Sequence, residues 1–420
     1  MKRCIIFDPT LSSNAGHNLD ANIDFAAFLQ NECEIQTEIW AADIFDASTS
    51  TGAQITPTIP WIYEYVWQTQ SNSAMARLQR MARRARERAT TRRTWWVPSL
   101  ALNLVSHVSS LHRLSQNIKL VLNHNCDVVF FPNVDFYSLL CIYNFTSIHP
   151  LPNNLRLIIR LIDVLEHFAF IPNSIQLVPT TLLRIQDQKN IIITAETERH
   201  CAYLEKTLGT SIPVSVIPRR IEIAAETRGR RTGQKSFNET HAPQFVLLCP
   251  GGARTDKGYW QFIDIATYLM TKYGGKVKLA FQQMPPDHQA FDSIYHNKLA
   301  ILPNIIMLSS VLSTAEYHAV LNNADAILLP YDRHVYRYRG SSVMFDAFSF
   351  GKPVIAMSDT GFGKTVETYD LGFTYSNVSE LSTAIHTIIS WSDQEERELQ
   401  SRQQKYIKRR KSELRDIFCG

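Results

Sequence analysis

One stretch, residues 339–355, constrains the fold of this 420-residue chain more than any other. A polar turn, Gly340-Ser341-Ser342, opens a short apolar helix that carries a single carboxylate, Asp346. The helix ends at Gly351, and a proline two residues later starts a buried strand. The preceding residues 323–330 predict another buried strand, so the polar turn follows a strand and begins a helix. Free amide groups and the helix dipole at such a turn favour a phosphate.

Short apolar strands alternate with helices along both halves of the chain. Near-continuous apolar strands with helices between them indicate parallel sheets that are covered on both faces. We therefore expect an α/β fold of two doubly wound, Rossmann-like domains facing a cleft, with ligands bound at the carboxyl ends of the strands. The predicted strands are 3–8, 127–132, 155–162, 190–194, 214–218, 245–249, 276–281, 304–307, 326–329 and 354–356. The predicted helices are 16–30, 196–208, 259–273, 313–322, 342–350 and 378–390, with Asp20 as a candidate cap of the first.

A change in composition separates the two halves. Residues 219–244 lack apolar periodicity and include the basic run 228–235, which predicts an interdomain linker. The linker leaves an N-terminal domain of residues 1–218, a C-terminal domain of residues 245–392 and a C-terminal helix with a basic tail, 393–420. This division gives two domains of ordinary size.

The composition argues against several classes of protein. The chain is 45% apolar and 20% charged, so it can build full cores and is not broadly disordered. Its seven cysteines are odd in number, scattered and without a C-x-x-C pair, which argues against a disulfide framework or a zinc site and favours a reducing cytosol. No segment reaches about 18 uninterrupted apolar residues, so we expect a cytoplasmic protein without a transmembrane helix.

The residues around the polar turn resemble the nucleotide-sugar site of GT-B glycosyltransferases, most closely family 4 and its relatives. In that family a helix typically reads Glu-Ala, then a small or apolar pair, then Gly-x-Pro-Val-Ile. The matching residues here are Asp346-Ala347, Gly351 and Pro353-Val354-Ile355. The segment 250–258 is similar to the loop that supplies basic residues to the donor diphosphate, and the resemblance spans residues 245–390.

The resemblance implies a basic pair that holds the donor diphosphate. Fixed cations stabilise the charge that grows on a diphosphate leaving group without a metal ion. Lys257, followed by Gly258, matches the lysine of the family, whereas the family's arginine, five residues earlier, is replaced here by Gly252. Arg254 stands three residues before the lysine and is the second candidate cation. A solvated loop pair is the structural alternative.

The resemblance also implies a carboxylate that binds ribose. Asp346 takes the place of the family's second glutamate, which usually binds the ribose hydroxyls, although a carboxylate on the helix surface is the alternative. The family's first glutamate falls at Tyr338, so that acid is absent here. The amides and hydroxyls of Gly340, Ser341 and Ser342 are expected to meet the diphosphate, with Arg337 and Arg339 adding charge.

The N-terminal half resembles the family only in general architecture and in the Gly16-His17 turn. GT-B enzymes place a glycine-bearing loop after the first strand, so Gly16 is expected in the acceptor-side loop and His17 is a candidate to position the acceptor. Glu166 and His167 follow a buried strand, and with Asp163 they are candidates to contact the sugar or to deprotonate an acceptor hydroxyl. A purely structural role is the alternative for each of these side chains.

The resemblance implies a retaining, metal-independent glycosyltransferase that uses a nucleotide sugar as co-substrate and needs no further cofactor. Its acceptor would be a glycan or a lipid-linked sugar at the cytoplasmic face of a membrane. A GT-B epimerase or phosphorylase is the near alternative, although no lysine site for pyridoxal phosphate is evident. A non-catalytic GT-B-like protein that binds carbohydrate or a partner enzyme is the alternative of another class. Tyr338 favours that alternative, whereas Lys257 and the Gly-Ser-Ser turn oppose it.

A basic amphipathic segment lies in the first domain. Residues 77–93 hold eight arginines opposed only by Glu87, with apolar residues at helical spacing, and the pair Trp95-Trp96 follows. The whole segment, Arg77 to Trp96, suits an anionic membrane surface, which would fit a lipid-linked acceptor. Nucleic acid is ranked lower as a partner, and a solvated helix that packs on its own domain is the alternative. For the second basic patch, the tail 405–415, a solvated face is expected.

Overall fold

The chain forms two compact units. The first unit comprises residues 1–196, 201–218 and 413–420, and the second comprises residues 197–200 and 219–412. The computed structural model describes residues 2–12, 17–46, 53–59, 112–134, 136–162, 174–186, 188–216, 244–284 and 292–420. The predicted linker, 219–244, therefore lies outside the described residues except for its last position, and the domain limits inferred from composition stay predictions.

A parallel six-stranded sheet forms the centre of the first unit, in the order β3-β2-β1-β4-β5-β6. The strands are β1 (Lys2–Phe7), β2 (Ile35–Ala42), β3 (Ile55–Ile59), β4 (Val128–Phe131), β5 (Arg156–Leu161) and β6 (Ile191–Ala195). The helices are α1 (His17–Cys33), α2 (Phe136–Ile148), α3 (Ser174–Gln186) and α4 (Glu198–Leu208), and residues 112–122 are also helical. The first three residues of α4 belong to the second unit.

A second parallel six-stranded sheet forms the centre of the second unit, in the order β12-β11-β10-β7-β8-β9. The strands are β7 (Phe245–Cys249), β8 (Val277–Gln282), β9 (Ile305–Leu308), β10 (Ala326–Leu329), β11 (Val354–Met357) and β12 (Gly372–Tyr375). The helices are α5 (Phe262–Tyr273), α6 (Ser293–Ala300), α7 (Thr314–Asn323), α8 (Ser342–Ser349), α9 (Gly361–Thr368), α10 (Val378–Ser390) and α11 (Asp393–Cys419).

The predicted class of two doubly wound α/β domains is confirmed, because each sheet grows outward from its first strand in both directions. Strands β4 and β10 are buried along their whole length, as expected for central strands between two helix layers. None of the described helices is long and apolar enough to cross a bilayer.

Several sequence predictions of local structure are wrong. Strand β2 was missed because polar residues fill its first half, and the short strands β3 and β12 were also missed. The predicted strand 214–218 is, in its described part, only a single bridge between Val214 and Ala195. Asp20 lies inside the first turn of α1 instead of capping it.

Each sheet contains a topological switch point, where the direction of strand addition reverses. In the first unit it lies between β1 and β4, and in the second unit between β7 and β10. Connections from the two neighbouring strands diverge to opposite sides there, which leaves a crevice at their carboxyl ends. In the second unit, the loops that flank this crevice are residues 250–258 after β7 and residues 330–341 after β10.

The last helix, α11, is an integral element of the fold, and the expectation that its basic tail is solvated is wrong at Arg410, whereas Arg415 is exposed. Arg410 is only 4% exposed and forms an ion pair with Glu198 in the second unit. The same carboxylate accepts a hydrogen bond of 2.8 Å from the Thr365 hydroxyl. In the first unit, Arg415 forms an ion pair with Glu32 at 2.5 Å.

We predict that Glu198→Gln lowers the free energy of unfolding by about 1–3 kcal/mol, because the buried guanidinium of Arg410 then lacks its charged partner. Chemical denaturation with an unchanged m-value would measure the loss. The matched control is Glu367→Gln, which breaks an exposed pair with Lys364 and should change stability by less than about 1 kcal/mol. Equal effects of the two substitutions would contradict the importance of the buried pair.

Candidate functional site

The loop after β7 approaches the carboxyl end of β10 very closely, at Gly258. This residue has φ +80, and a Cβ atom on it would lie 2.0 Å from the carbonyl oxygen of Pro330. Only glycine fits this contact, since any side chain would collide with backbone and would also disfavour the left-handed conformation. The residues just before it, Thr255–Lys257, form a 3-10 turn that ends on Gly258. Lys257 is therefore fixed beside the switch point.

The side chain of Lys257 lies between the two loops that flank the crevice. Its Nζ atom lies 5.6 Å from the ring centroid of Tyr331, a fully buried residue after β10. A Cβ atom built on Gly251 would lie 2.8 Å from the same Nζ and 4.0 Å from Val343 in the first turn of α8. The structure thus brings the predicted basic loop against the N-terminal turn of the helix that carries Asp346.

The electrostatic environment of Lys257 disfavours its charge. Burial of the ammonium group, and to a smaller extent the positive charge of Arg254, lower the pKa of Lys257 from 10.5 to about 8, while Cys249 and Asp256 oppose the shift. An ammonium group held in this way gains more from a bound anion than a solvated lysine does, because the anion replaces the water that burial removed.

Arg254 differs from Lys257 because its charge is already paired. Its Nε and Nη2 atoms donate to the two carboxylate oxygens of Asp256 at 3.0 and 2.8 Å, and Nη2 also donates to the Tyr336 hydroxyl at 3.2 Å. Burial alone would raise the pKa of Asp256, but the adjacent guanidinium holds that pKa below its usual value. The structure thus places Arg254, the predicted second cation, in a bidentate ion pair with Asp256, a carboxylate that sequence reasoning missed.

The turn that begins α8 contains buried hydroxyl groups with unused hydrogen-bonding capacity. Ser341 is the N-cap residue, yet its side chain makes no capping hydrogen bond. Its Oγ atom and the hydroxyl of Tyr331 are buried next to each other, and apart from this mutual contact neither has a hydrogen-bond partner among the described residues. Buried polar atoms are normally satisfied, so these two indicate a ligand or an ordered water at the helix N-terminus. Gly340 and Ser342 are partly exposed on either side of Ser341.

Asp346 is not a surface carboxylate. It is 3% exposed, and its Oδ2 atom accepts a hydrogen bond of 2.9 Å from the hydroxyl of Tyr317 on α7. The alternative of a helix-surface residue is therefore wrong. Tyr317 was missed by sequence reasoning, because it lies 29 residues away on another helix and no local pattern links the two.

Tyr338, at the position of the absent acid, is held firmly by its backbone. Its carbonyl oxygen accepts a hydrogen bond of 2.7 Å from the hydroxyl of Thr197. A Cβ atom on Gly361 would lie 2.7 Å from the carbonyl carbon of Tyr338 and from the carbonyl oxygen of Arg339. The loop after β10 is thus packed against the start of α9, and Arg339 lies with its Cζ atom 5.8 Å from the Tyr336 ring.

The candidate residues of the first unit are described only in part. Gly16, Asp163, Glu166 and His167 lie outside the described residues, and His17 begins α1 with a side chain that is not described. The segment Arg77 to Trp96 also lies outside the described residues. These assignments therefore stay predictions.

The switch point of the first unit contains one carboxylate that sequence reasoning missed. Asp8, directly after β1, is 1% exposed. It accepts hydrogen bonds from the hydroxyl of Thr10 at 2.5 Å and from the side-chain amide of Asn22 at 2.6 Å. The sequence signal that could have identified Asp8 was its position directly after the first predicted strand. Among the described residues of the whole chain, no group of three or more histidine, cysteine or acidic side chains is arranged to hold a metal ion.

Comparisons with known proteins agree on the fold. No protein-family model matches the sequence, and no curated protein matches it. The chain is similar to OtsA, a trehalose-6-phosphate synthase, with a TM-score of 0.66 and 11% identity over 99% of this chain and 98% of that one. It is similar to sucrose-phosphate synthase from Thermosynechococcus elongatus, with a TM-score of 0.60 and 12% identity over 97% and 94%.

A third similar structure is Anabaena HepE in complex with UDP and glucose, with a TM-score of 0.56 and 15% identity over 97% of this chain and 95% of that one. All three are GT-B glycosyltransferases. The predicted GT-B fold is therefore confirmed, and at these identities the likeness concerns the fold.

We predict that Lys257→Met stabilises the ligand-free protein by about 1–3 kcal/mol at pH 7, because it removes a charge that burial disfavours. Since the folded pKa is about 8 and the ordinary value 10.5, the unfolded chain holds more protons between these values. The penalty is present in full below pH 8 and disappears as the pH rises to about 10.5. The stability advantage of the variant should fade over the same window.

Thermal unfolding of both proteins between pH 6 and 10.5 tests this, read as a difference so that other titrating groups cancel. Lys272→Met, at an exposed lysine on α5, is the matched control and should show no such window. A Lys257→Met variant that is less stable than the wild type at pH 7 would overturn the argument.

Proposed function

We propose that this protein is a glycosyltransferase that moves a sugar from a nucleotide-sugar donor to a glycan or lipid-linked acceptor. The observation that carries the proposal is the convergence of Lys257 with the N-terminal turn of α8 at the switch point of the second unit. A buried ammonium group, the amides of a helix N-terminus and two buried hydroxyls together match the charge and geometry of a diphosphate. The GT-B fold and the glycosyltransferases that share it support this reaction.

In this proposal, the leaving nucleoside diphosphate is stabilised by fixed protein charges. Lys257 pairs with the phosphate oxygens on which charge develops, and the turn Gly340-Ser341-Ser342 donates from its amides and hydroxyls. Arg254 orients the loop in this proposal, because its charge is already paired with both carboxylate oxygens of Asp256. Asp346, held by the Tyr317 hydroxyl, would accept hydrogen bonds from the ribose hydroxyls.

Several finer assignments belong to the same proposal. The transfer would proceed with retention and without a metal ion or further cofactor, since Lys257 and the α8 turn supply the positive potential at the leaving group. His17, Glu166 and His167 remain the candidates for the acceptor side. An anionic membrane surface that binds the segment Arg77 to Trp96 would place the protein at the cytoplasmic face, next to a lipid-linked acceptor.

A non-catalytic carbohydrate-binding protein of the same fold is the second candidate. The observation that favours it is Tyr338 in place of the family's first glutamate. The two functions differ in turnover: an enzyme releases nucleoside diphosphate from a nucleotide sugar, and a binding protein does not.

We predict that Lys257→Ala abolishes transfer and leaves the fold intact. Loss of the charged contact should remove about 2 to 4 kcal/mol of transition-state stabilisation, which is about a 30- to 1000-fold loss of turnover. The measurement is nucleoside diphosphate released from a panel of nucleotide sugars, with and without glycan acceptors. Lys272→Ala is the matched control. Normal turnover in Lys257→Ala would exclude the lysine from the reaction, and no turnover by the wild type with any donor would favour the binding protein.

We also predict that Asp346→Asn weakens nucleotide binding by about tenfold, because a neutral amide replaces a charged acceptor for the ribose hydroxyls. Asparagine keeps an oxygen for the Tyr317 hydroxyl, so folding should be spared. Titration calorimetry with free nucleoside diphosphates provides the affinity. Tyr317→Phe, which removes only the hydroxyl that holds the carboxylate, should cause a smaller loss. Unchanged affinity in Asp346→Asn would show that the carboxylate is purely structural.

A further inference from the structure

Two arginines stack on the ring of Tyr338, three residues before the N-cap of α8. The Cζ atom of Arg337 lies 5.5 Å from the ring centroid, and that of Arg199 lies 5.7 Å from it. Both distances are within the range of a cation–π contact. The phenol ring thus holds together two guanidinium groups that come from segments far apart in the chain.

Among the described residues, neither guanidinium has a carboxylate partner. Arg199 donates to the backbone carbonyl oxygen of Asp359 at 2.8 Å, which orients the group but leaves its charge unpaired. Within the part of the chain that the structure describes, neither Arg199 nor Arg337 forms an ion pair. Arg254, by contrast, forms an ion pair with Asp256. Two positive charges on one ring raise the local positive potential, which favours an anion bound close to both of them.

The stack is held in place by the residues around it. The carbonyl oxygen of Tyr338 accepts from the Thr197 hydroxyl, and the following peptide packs against Gly361 with no room for a Cβ atom. Asp359 itself has φ +62, an uncommon conformation for a residue other than glycine, and it presents its carbonyl oxygen to Arg199 in that conformation.

The stack is distinct from the diphosphate site but belongs to the same loop. Lys257, Ser341 and Tyr331 surround the α8 turn, whereas Tyr338 and Arg337 lie earlier on the loop, on the side of α9. Arg199 contacts the Tyr338 ring from the first turn of α4. A nucleoside diphosphate that is bound at the α8 turn would leave the two arginines without a counter-charge. A substrate that carries only the diphosphate does not account for them.

We propose that the Arg199–Tyr338–Arg337 stack binds a carboxylate or phosphate carried on the sugar itself, so that the transfer involves a charged sugar substrate. This rests on the proposed function, because the second anion is recognised relative to a nucleotide at the α8 turn. Guanidinium groups bind carboxylates and phosphates in a planar, bidentate way that selects charge over a neutral hydroxyl. The charged group belongs either to the donor, as a nucleotide-linked uronate, or to the acceptor, as a sugar phosphate.

The experiment has two arms, and both begin with the nucleoside diphosphate that binds most tightly among UDP, GDP, ADP and dTDP. In the donor arm, calorimetry compares its hexose and hexuronate conjugates. In the acceptor arm, glucose and glucose 6-phosphate are compared in the presence of the nucleoside diphosphate. Each arm is repeated with Arg199→Gln/Arg337→Gln and with Arg333→Gln, a matched control at an exposed arginine of the same loop.

We expect the wild type to prefer one charged sugar over its neutral counterpart by about 10- to 100-fold, the range of a charge-assisted contact. The double variant should lose this preference, read as the ratio of charged to neutral sugar affinity within the same variant, and Arg333→Gln should keep it. A preference in the donor arm identifies a uronate, and one in the acceptor arm identifies a sugar phosphate.

Two results would overturn the inference. In the first, the nucleoside diphosphate binds but neither charged sugar is preferred, which leaves the proposed function standing and removes the charged-sugar subsite. In the second, the preference persists in the double variant, which assigns it to other residues. Failure of every nucleoside diphosphate to bind is a different result, which overturns the proposed function and the inference with it.

Discussion

The approach of Gly258 to the carbonyl oxygen of Pro330 is the constraint on which the candidate site depends. A Cβ atom at that position would lie 2.0 Å from the oxygen, so the loop after β7 reaches the end of β10 only because residue 258 is glycine. The contact closes the 3-10 turn that contains Lys257 and sets that side chain over Tyr331. Since β7 and β10 are neighbours at the switch point, the loop fills the place where open α/β sheets bind ligands.

The resulting site contains a charged group whose burial is unfavourable. The ammonium group of Lys257 has lost much of its water, and the buried hydroxyls of Ser341 and Tyr331 have no partner but each other among the described residues. Elsewhere in the same unit the chain satisfies its buried charges, as the pair between Arg410 and Glu198 illustrates. The contrast is informative because a stable fold tolerates unsatisfied polar groups mainly where an absent group completes them.

The sequence predicted those parts of the site that lie on one continuous segment. Lys257 with its glycine and the polar turn before α8 are each local patterns, so they could be recognised in the sequence, Lys257 mainly through the family resemblance. Tyr317 and Arg199 could not, because they reach the site from α7 and from the first turn of α4 through tertiary packing. The strands were also predicted where a local pattern was clear. The apolar strands β7 and β10 were predicted at their observed limits, whereas β2 has polar residues in its first half and was missed.

Tyrosine at position 338, where the family has an acid, changes the charge of the loop but keeps its backbone contacts. A carboxylate there would neutralise Arg337 and Arg199, which lie within 5.7 Å of the centre of the ring that replaces it. Tyrosine offers the same guanidinium groups only the face of a ring, an attraction of about 1 kcal/mol that orients them and leaves their charge available to a ligand. The backbone contacts to Thr197 and Gly361 hold the tyrosine in place. Under the proposed function, tyrosine at position 338 would change the charge that the site recognises and would not remove the site.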